Sequence, residues 1–143
     1  MRFTASPGVL PEEARLLRTL IFIEEQGFVR EFDDLDDAAV HIVAFGGDKP
    51  IGTCRYYPRS DGSYAIGRIA VAREYRGKGV GSALVLEAER RVALLGAKIT
   101  VVSAQLRAAG FYRSLGYTEQ GSPYPEEHVP HILMVKGIEN TKI

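Results

Sequence analysis

YAIGRIAVAREYRGKGVGSALVLEAERRVALL, residues 64–95, is the stretch that decides the fold of this chain. Its first part, Ala65 to Ala72, is apolar on both faces except at Arg68, which is typical of a strand covered on both sides. The glycine-rich sequence RGKGVG follows at residues 76–81. Beyond it the stretch predicts a helix, because apolar residues recur on one stripe at Val80, Leu84, Ala88, Val92 and Leu95.

Loop 76–81 has the composition of an anion-binding site. Its three glycines let backbone N–H groups turn toward a ligand, and the unpaired amides at the start of the following helix carry partial positive charge. Arg76 and Lys78 add two cations. A diphosphate therefore matches the loop better than a single carboxylate does. A simple tight turn is the alternative explanation of the glycines.

Two common phosphate loops do not fit these residues. A Walker loop requires a hydroxyl residue after Lys78 and a glycine five positions before Gly77, but the chain has Gly79 and Ala72 there. A dinucleotide fingerprint would place its third glycine at position 82, where the chain has Ser82. A nucleotide held for phosphoryl transfer is therefore poorly supported.

The composition is that of an ordinary globular protein of 143 residues, 45% hydrophobic and 25% charged, and favours one domain over residues 1–143. Lys plus Arg and Asp plus Glu both number 18, so the formal charge is zero. This balance argues against nucleic-acid and membrane-surface binding, which usually require a basic surplus. Neither a membrane-spanning apolar run nor a signal-peptide core is present, and we expect a cytoplasmic protein.

The cysteine and histidines do not suggest a metal site. Cys54 is the only cysteine, so it has no partner for an internal disulfide, and a structural thiol is favoured over a nucleophile. His41, His128 and His131 lack the HExxH pattern of zinc hydrolases. We expect no metal.

Further helix and strand signals lie on both sides of residues 64–95. A helix is expected to begin at Pro11 and end at Gly27, and a short helix over 108–115 to end at Gly116. The first helix should bury Leu17, Leu20, Ile21 and Ile23. Strands are expected at 2–5, 40–45, 51–57, 99–103, 117–120 and 131–136, with a Pro-rich loop at 121–130. The connection from strand 65–72 through the long helix to strand 99–103 predicts a parallel pair in a mixed sheet.

An acidic run extends from Glu24 to Asp37. It forms either a solvated loop or a group of carboxylates that line a site for a cationic amine. Arg55 and Arg68 lie within otherwise apolar strands, where cations usually pair with buried carboxylates. A structural ion-pair network with the acidic run is the leading interpretation, and recognition of an acidic acceptor group is the second.

A second motif, FYRSLGY at residues 111–117, lies downstream of the glycine loop. It resembles the FYxxLGF segment of the Gcn5-related N-acetyltransferases. Arg-x-x-Gly-x-Gly after an apolar strand resembles the coenzyme A loop of the same family, and the two motifs are separated by the spacing that family shows. The resemblance spans nearly the whole chain. A narrower similarity, to the ElaA/YjcF-like branch, rests on FIEEQG at 22–27, the acidic residues of 33–37, His41, Gly52–Thr53 with Arg55, GRIAV at 67–71 and PHILM at 130–134.

This resemblance implies an α/β (α+β) fold, the acyl-CoA N-acyltransferase fold, in which about four helices flank a mixed sheet of six or seven strands. Two neighbouring parallel strands would splay apart around the pantetheine arm of acetyl-CoA. The cofactor-binding residues that it implies are Ile69, Ala70, Val71, Arg76, Gly77, Lys78, Gly79, Val80, Gly81, Gln105 and Tyr112. Many relatives have an asparagine near the end of this strand, and Gln105 would take its place in this chain.

The implied chemistry is direct attack of an unprotonated amine on the thioester carbonyl. The Val71 amide would polarise that carbonyl, and Tyr112 would protonate the departing thiolate, although its alternative role is packing. Glu25, Glu31 and His131 are the candidates for the group that removes the proton of the amine. His131, in an apolar strand, is otherwise a hydrogen-bonded core histidine.

The resemblance thus implies an N-acetyltransferase that uses acetyl-CoA, without a metal, on a primary amine of a small molecule or peptide. A non-catalytic module that binds or senses acyl-CoA is the alternative. We expect neither nucleic acid nor membrane as a partner. The sequence leaves the oligomeric state open, with a homodimer as one option.

Overall fold

We describe a computed structural model of residues 1–138. Its strands are β1 (Arg2–Pro7), β2 (Val40–Gly46), β3 (Lys49–Pro58), β4 (Tyr64–Val71), β5 (Ile99–Gln105), β6 (Thr118–Glu126) and β7 (Val129–Gly137). Its α-helices are α1 (Glu12–Arg18), α2 (Leu35–Ala38), α3 (Val80–Leu94) and α4 (Ala109–Ser114). Over residues 1–138, seven strands form one mixed sheet in the order β1-β2-β3-β4-β5-β7-β6, which confirms the expected fold class.

The strand pairing follows from the connections along the chain. A tight turn joins β2 to β3, whereas α1 and α2 lie between β1 and β2 along the chain. Strand β2 pairs antiparallel with both β1 and β3. Strand β4 leads through the glycine loop and α3 to β5, and the two strands are parallel, with Tyr64 opposite Thr100. The predicted crossover is therefore confirmed. Strand β7 pairs antiparallel with β5 and with β6.

The chain divides into two compact units, each with buried apolar residues of its own. Residues 1–57 and 66–88 form the first unit, and residues 58–65 with 89–138 form the second. Buried residues of the first unit include Ala14, Ile42, Val43, Cys54, Ile66, Ala70, Leu84 and Val85. Buried residues of the second include Val92, Val101, Val102, Ala104, Tyr117, Ile132 and Met134. Among the helices of residues 1–138, none is long and apolar enough to span a membrane.

The first helix changes its winding halfway along. After α1 it continues as a π-helix over Thr19–Glu25, in which the Gln26 amide donates to the Ile21 carbonyl oxygen at 3.0 Å. The wider turn shifts side chains relative to a 3.6-residue period. For this reason the expected buried position of Leu20 was wrong: Leu20 is exposed, whereas Phe22 is buried. The predicted stop is confirmed at Gly27, which follows in the left-handed region with φ of 79°.

Helix α3 begins against a glycine of β3. Its predicted stripe is buried from Val80 to Val92, but Leu95 is exposed because it lies beyond the last turn of the helix. A Cβ atom on Gly52 would lie 2.9 Å from side-chain carbons of both Val80 and Leu84, closer than such atoms approach in proteins. The missing side chain therefore lets the first turns of α3 pack directly on β3.

The expected Pro-rich loop at 121–130 was wrong. Strand β6 continues to Glu126, and only a two-residue turn, with Glu127 at φ of 51°, separates it from Val129, the first residue of β7. The prolines are accommodated because β6 lies at the edge of the sheet, where a missing backbone donor breaks no central ladder. The register shifts between Gln120 and Tyr124, which marks the irregular part of the strand.

Candidate functional site

The glycine loop has an open outer side at the start of α3. Gly77 and Gly79 adopt left-handed backbone conformations, with φ of 74° and 83°. A Cβ atom built on either residue would meet no atom within 4 Å. Such free space over a backbone that leads into a 15-residue helix leaves room for a ligand at the amides of the helix start. The loop therefore has open space beside the backbone amides that the sequence predicts to bind an anion.

Arg76 is held in place by two other candidate residues. Its two terminal nitrogens donate to the carboxylate oxygens of Glu25 at 2.8 and 2.9 Å, and its Nε donates to the Val71 carbonyl oxygen at 3.1 Å. Arg73 approaches the same carboxylate at 3.6 Å. The hydrogen bond from Arg76 lowers the pKa of Glu25 below its ordinary value. Glu25 is thus a weaker base than an isolated glutamate and is already occupied by a cation.

Strand β4 is distorted just before its candidate cofactor-binding residues. Arg68 has a φ of 52°, an uncommon conformation for a residue with a side chain, inside a strand. Left-handed residues of this kind occur at bulges, which bend a strand and change the direction of the residues that follow. Of those residues, Ala70 is buried, while Ile69 and Val71 are half-buried. The distortion therefore affects the direction of the end of β4, where Ile69, Ala70 and Val71 lie.

The acidic run supplies carboxylates to a largely buried cluster of ion pairs. Three arginines and three carboxylates meet, so their formal charges cancel. These residues, which we name the ion-pair cluster, are Arg18, Arg55, Arg68, Glu31, Asp33 and Asp36. The structural ion-pair network predicted for Arg55 and Arg68 is confirmed. It accounts for three of the seven carboxylates in the run.

Arg18 is the member of the ion-pair cluster that the sequence reasoning missed. Its side chain is 1% exposed and donates to Glu31 at 2.8 Å and to Asp36 at 2.9 Å. The signal was present, because Arg18 follows Ala14 by one helical turn on the buried face of α1. Burial raises the pKa of Glu31. Burial would also raise the pKa of Asp36, but the hydrogen bonds and charges of Arg18 and Arg55 hold it below its usual value.

In the second unit, Tyr112 lies on α4 among aromatic rings. It is buried, and the rings of Phe111 and Tyr117 meet it edge-on at centroid distances of 5.0 and 5.9 Å. Tyr117 donates its hydroxyl hydrogen to Glu89 at 2.8 Å, and burial raises its pKa. No local pattern predicted this buried polar contact, because Glu89 lies 28 positions from Tyr117 along the chain.

Gln105 and His131 lie directly opposite one another on β5 and β7. Gln105 accepts a hydrogen bond from Arg107 Nε at 3.0 Å. His131 is buried, its Nδ1 donates to the Val129 carbonyl oxygen at 2.9 Å, and its Nε2 lies 3.6 Å from a carboxylate oxygen of Glu126. The sequence reasoning missed Glu126 because it assigned this residue to a loop. Strand alternation around Tyr124 would have been the signal for it.

Each unit therefore brings together part of the expected site. In the first unit, Glu25 and Val71 both contact Arg76 of the glycine loop. Glu31 lies in the ion-pair cluster and not with them. The second unit places Gln105 beside His131. Within residues 1–138, no group of three or more His, Cys, Asp or Glu side chains has an arrangement that could hold a metal ion.

Comparison with known proteins gives a consistent result. The model of the Acetyltransferase (GNAT) family matches residues 11–117. The uncharacterized N-acetyltransferase YjcF of Bacillus subtilis is 31% identical over 128 residues, which cover 87% of this chain and 91% of YjcF. The crystal structure of Escherichia coli ElaA is similar with a TM-score of 0.81 and 25% identity, over 94% of this chain and 98% of ElaA. An acyl-CoA N-acyltransferase from Pseudomonas aeruginosa is similar with a TM-score of 0.84 and 25% identity, over 95% and 99% of the two chains.

Proposed function

This chain belongs to the acetyltransferase (GNAT) family, and from that membership we propose that it transfers an acetyl group from acetyl-CoA to a primary amine of a small molecule or peptide. The observation that carries the proposal is the glycine loop: Gly77 and Gly79 have open space above a left-handed backbone, next to two cations and just before α3. We further propose that residues 1–143 act as one catalytic domain, since the family match draws on both compact units.

The direct test is the release of free thiol from acetyl-CoA by the purified protein, with a panel of primary amines and peptides. We expect thiol release that requires an amine, with an acetylated product of matching mass. Binding of acetyl-CoA with no amine-dependent thiol release over a broad panel would instead favour the acyl-CoA-sensing module. No binding of acetyl-CoA would refute both.

Residues of the glycine loop and of strand β4 would hold acetyl-CoA. We propose that loop 76–81 binds the pyrophosphate, that the backbone of Ile69, Ala70 and Val71 binds pantetheine, and that Gln105 replaces the asparagine of many relatives. When bound, acetyl-CoA supplies the activated thioester. The chain supplies positive charge from Arg76 and Lys78, and Tyr75 lies beneath the Lys78 ammonium at 5.5 Å, which supports that side chain near the loop.

The chain must also stabilise developing charge and move protons. We propose that the Val71 amide donates to the carbonyl oxygen as negative charge develops on it, and that Tyr112 protonates the departing sulfur. His131 is the base that we favour, because its Nδ1 bond to the Val129 carbonyl fixes the ring, and the Glu126 carboxylate, 3.6 Å from Nε2, would stabilise an imidazolium there. Glu25 is less suited, since Arg76 holds its carboxylate and lowers its pKa.

We expect Tyr112→Phe to lower kcat by about 100-fold, the lower part of the range that general acids contribute. The ring and its edge contacts with Phe111 and Tyr117 remain, so the variant should still fold, which a thermal melt checks. Tyr117→Phe is the matched control: it removes a buried hydroxyl that donates to Glu89, so it should cost about 1–2 kcal/mol of stability and spare kcat. An unchanged kcat in Tyr112→Phe would leave Tyr112 with a packing role only.

The variant Glu25→Gln tests whether Glu25 is the general base or only the ion-pair partner of Arg76. The neutral side chain binds the guanidinium less strongly and no longer repels the pyrophosphate, so we expect KM for acetyl-CoA to fall about two- to fivefold, as suits an exposed ion pair. We expect kcat to stay within about twofold. Glu24→Gln, a change at the exposed neighbouring residue, should leave both constants unchanged. A fall in kcat of about 100-fold would show that Glu25 is the base after all.

A further inference from the structure

Arg68 occupies an unfavourable backbone conformation in the middle of β4. Its φ of 52° lies in the left-handed region, where the Cβ atom of an ordinary residue comes too close to the backbone. A glycine adopts this conformation without that cost. A residue with a side chain stays in such a conformation only when the surrounding structure offsets the cost. The contacts of the Arg68 side chain are therefore the place to look for the compensation.

The Arg68 guanidinium is held by two acidic residues of the chain before α2. Its Nε lies 3.1 Å from a carboxylate oxygen of Glu31 and donates to the Glu31 carbonyl oxygen at 3.2 Å. One of its terminal nitrogens donates to Asp33 at 3.3 Å. The Arg68 side chain is 24% exposed and that of Glu31 is 3% exposed, so solvent screens the first contact only in part. Charge-assisted contacts of this kind are strong enough to offset a left-handed backbone.

The carboxylates that hold Arg68 are themselves fixed by two buried arginines. Arg18 of α1 donates to Glu31 at 2.8 Å, and Arg55 of β3 donates to Asp33 at 2.7 Å. Both acidic residues are therefore anchored to elements other than β4. They give the Arg68 guanidinium a fixed position, and a fixed guanidinium limits the backbone conformations that residue 68 can adopt.

The residues that follow Arg68 are also supported by their neighbours in the first unit. Ala70 lies in one buried apolar cluster with Phe22 of the π-helix. Arg76 donates to the Val71 carbonyl oxygen at 3.1 Å. The end of β4 is thus held at Ala70 and at Val71, and the conformation of Arg68 determines the direction in which the chain enters it.

We propose that Arg68 is a positioning residue for acetyl-CoA: its ion pairs with Glu31 and Asp33 hold residue 68 in the left-handed conformation and so direct the backbone of residues 69–71 toward pantetheine. This inference rests on the proposed function, in which that backbone binds pantetheine and the Val71 amide polarises the thioester. Arg68 acts through the bend in β4 and not by contact with the ligand.

Glycine and alanine at position 68 separate the effect of the backbone from that of the side chain. Both variants lose the ion pairs, but only glycine adopts a φ of 52° without steric cost. In calorimetric titrations with coenzyme A, we expect Arg68→Ala to raise the dissociation constant about tenfold, the factor that corresponds to a left-handed residue with a Cβ atom. Arg68→Gly should stay within about threefold of the wild type. Glu127→Ala is the control, because Glu127 is the other non-glycine residue within 1–138 that has a positive φ, and it should bind as the wild type does.

A double-mutant cycle tests the contact between Arg68 and Asp33. Asp33→Asn should raise the dissociation constant of coenzyme A about threefold in the wild-type chain and leave it unchanged in Arg68→Gly, which lacks the guanidinium. The lost contact with Arg55 is common to both backgrounds and cancels. Asp34→Asn, at the exposed neighbouring residue, should have no effect in either background. An equal effect of Asp33→Asn in both backgrounds would overturn the role of this ion pair.

Backbone chemical shifts of the ligand-free chain report the conformation of residue 68 by NMR. We expect a left-handed residue in the wild type and in Arg68→Gly, and an extended one in Arg68→Ala. A left-handed residue in Arg68→Ala, or equal coenzyme A affinities in the two variants, would overturn the positioning role and keep the proposed function. A role in stability alone would give that second result, with a lower unfolding midpoint in both variants. A wild-type chain that does not bind coenzyme A would overturn the proposed function, and the positioning role with it.

Discussion

Arg18→Ala is expected to lower the free energy of unfolding by about 3–5 kcal/mol, the usual cost of removing one partner from a buried ion pair. Arg18 contacts Glu31 at 2.8 Å and Asp36 at 2.9 Å, and its side chain is 1% exposed. Its loss leaves two buried carboxylates with two arginines in place of three. Since burial already raises the pKa of Glu31, we expect this carboxyl to take up a proton in the variant.

Urea denaturation followed by circular dichroism measures this effect. Arg15→Ala is the matched control, because Arg15 lies on the same helix but is half exposed, 3.9 Å from Glu12, and should cost less than about 1 kcal/mol. The double variant Arg18→Met with Glu31→Leu should recover part of the loss, since apolar residues can replace a buried pair. If Arg18→Ala cost no more than Arg15→Ala, the ion-pair cluster would not stabilise the fold.

Gly79→Val is expected to weaken the binding of acetyl-CoA by about 100-fold. The free space above Gly79 would be filled, and the backbone would leave its φ of 83°. Either change removes one or two charge-assisted hydrogen bonds to the pyrophosphate, which corresponds to about 3 kcal/mol. The fold itself should lose only about 1–2 kcal/mol, the cost of a left-handed residue with a side chain.

Gly62→Val isolates the effect on binding from the backbone strain. Gly62 is an exposed turn residue with φ of 89°, and its Cβ position also meets no atom within 4 Å. The two variants should thus lose similar stability in thermal melts, while calorimetric titration with acetyl-CoA should show weakened binding in Gly79→Val alone. Equal affinity in the two variants would show that loop 76–81 is not part of the binding site.

Much of the fold could be predicted because the signals were local. The apolar strand at 65–72 and the stripe from Val80 to Val92 each depend on residues a few positions apart, and both are confirmed. The failures have non-local causes. A π-helical turn moved Leu20 to the surface, and the position of β6 at the sheet edge allowed prolines inside a strand.

The candidate site was predictable to the extent that it depends on the backbone. Loop 76–81 could be found from glycine spacing alone, but the partner of Arg76 could not, because Glu25 lies 51 positions away along the chain. Arg55 and Arg68 were recognised as paired because a charge in an apolar strand requires a partner. The contacts of Glu126 with Ser103 and His131 were missed, because only the strand register brings these residues near one another.

Gly52 has a consequence for how this sequence can vary. The first turns of α3 rest on the bare backbone at this position, and the amides at the end of loop 76–81 belong to those same turns. Any side chain at position 52 would lift the helix start and the amides with it. We therefore expect substitution of Gly52 to be limited by its effect on the loop, although Gly52 itself lies in the core and not in the loop. A position of this kind would show the conservation of a binding residue without being one.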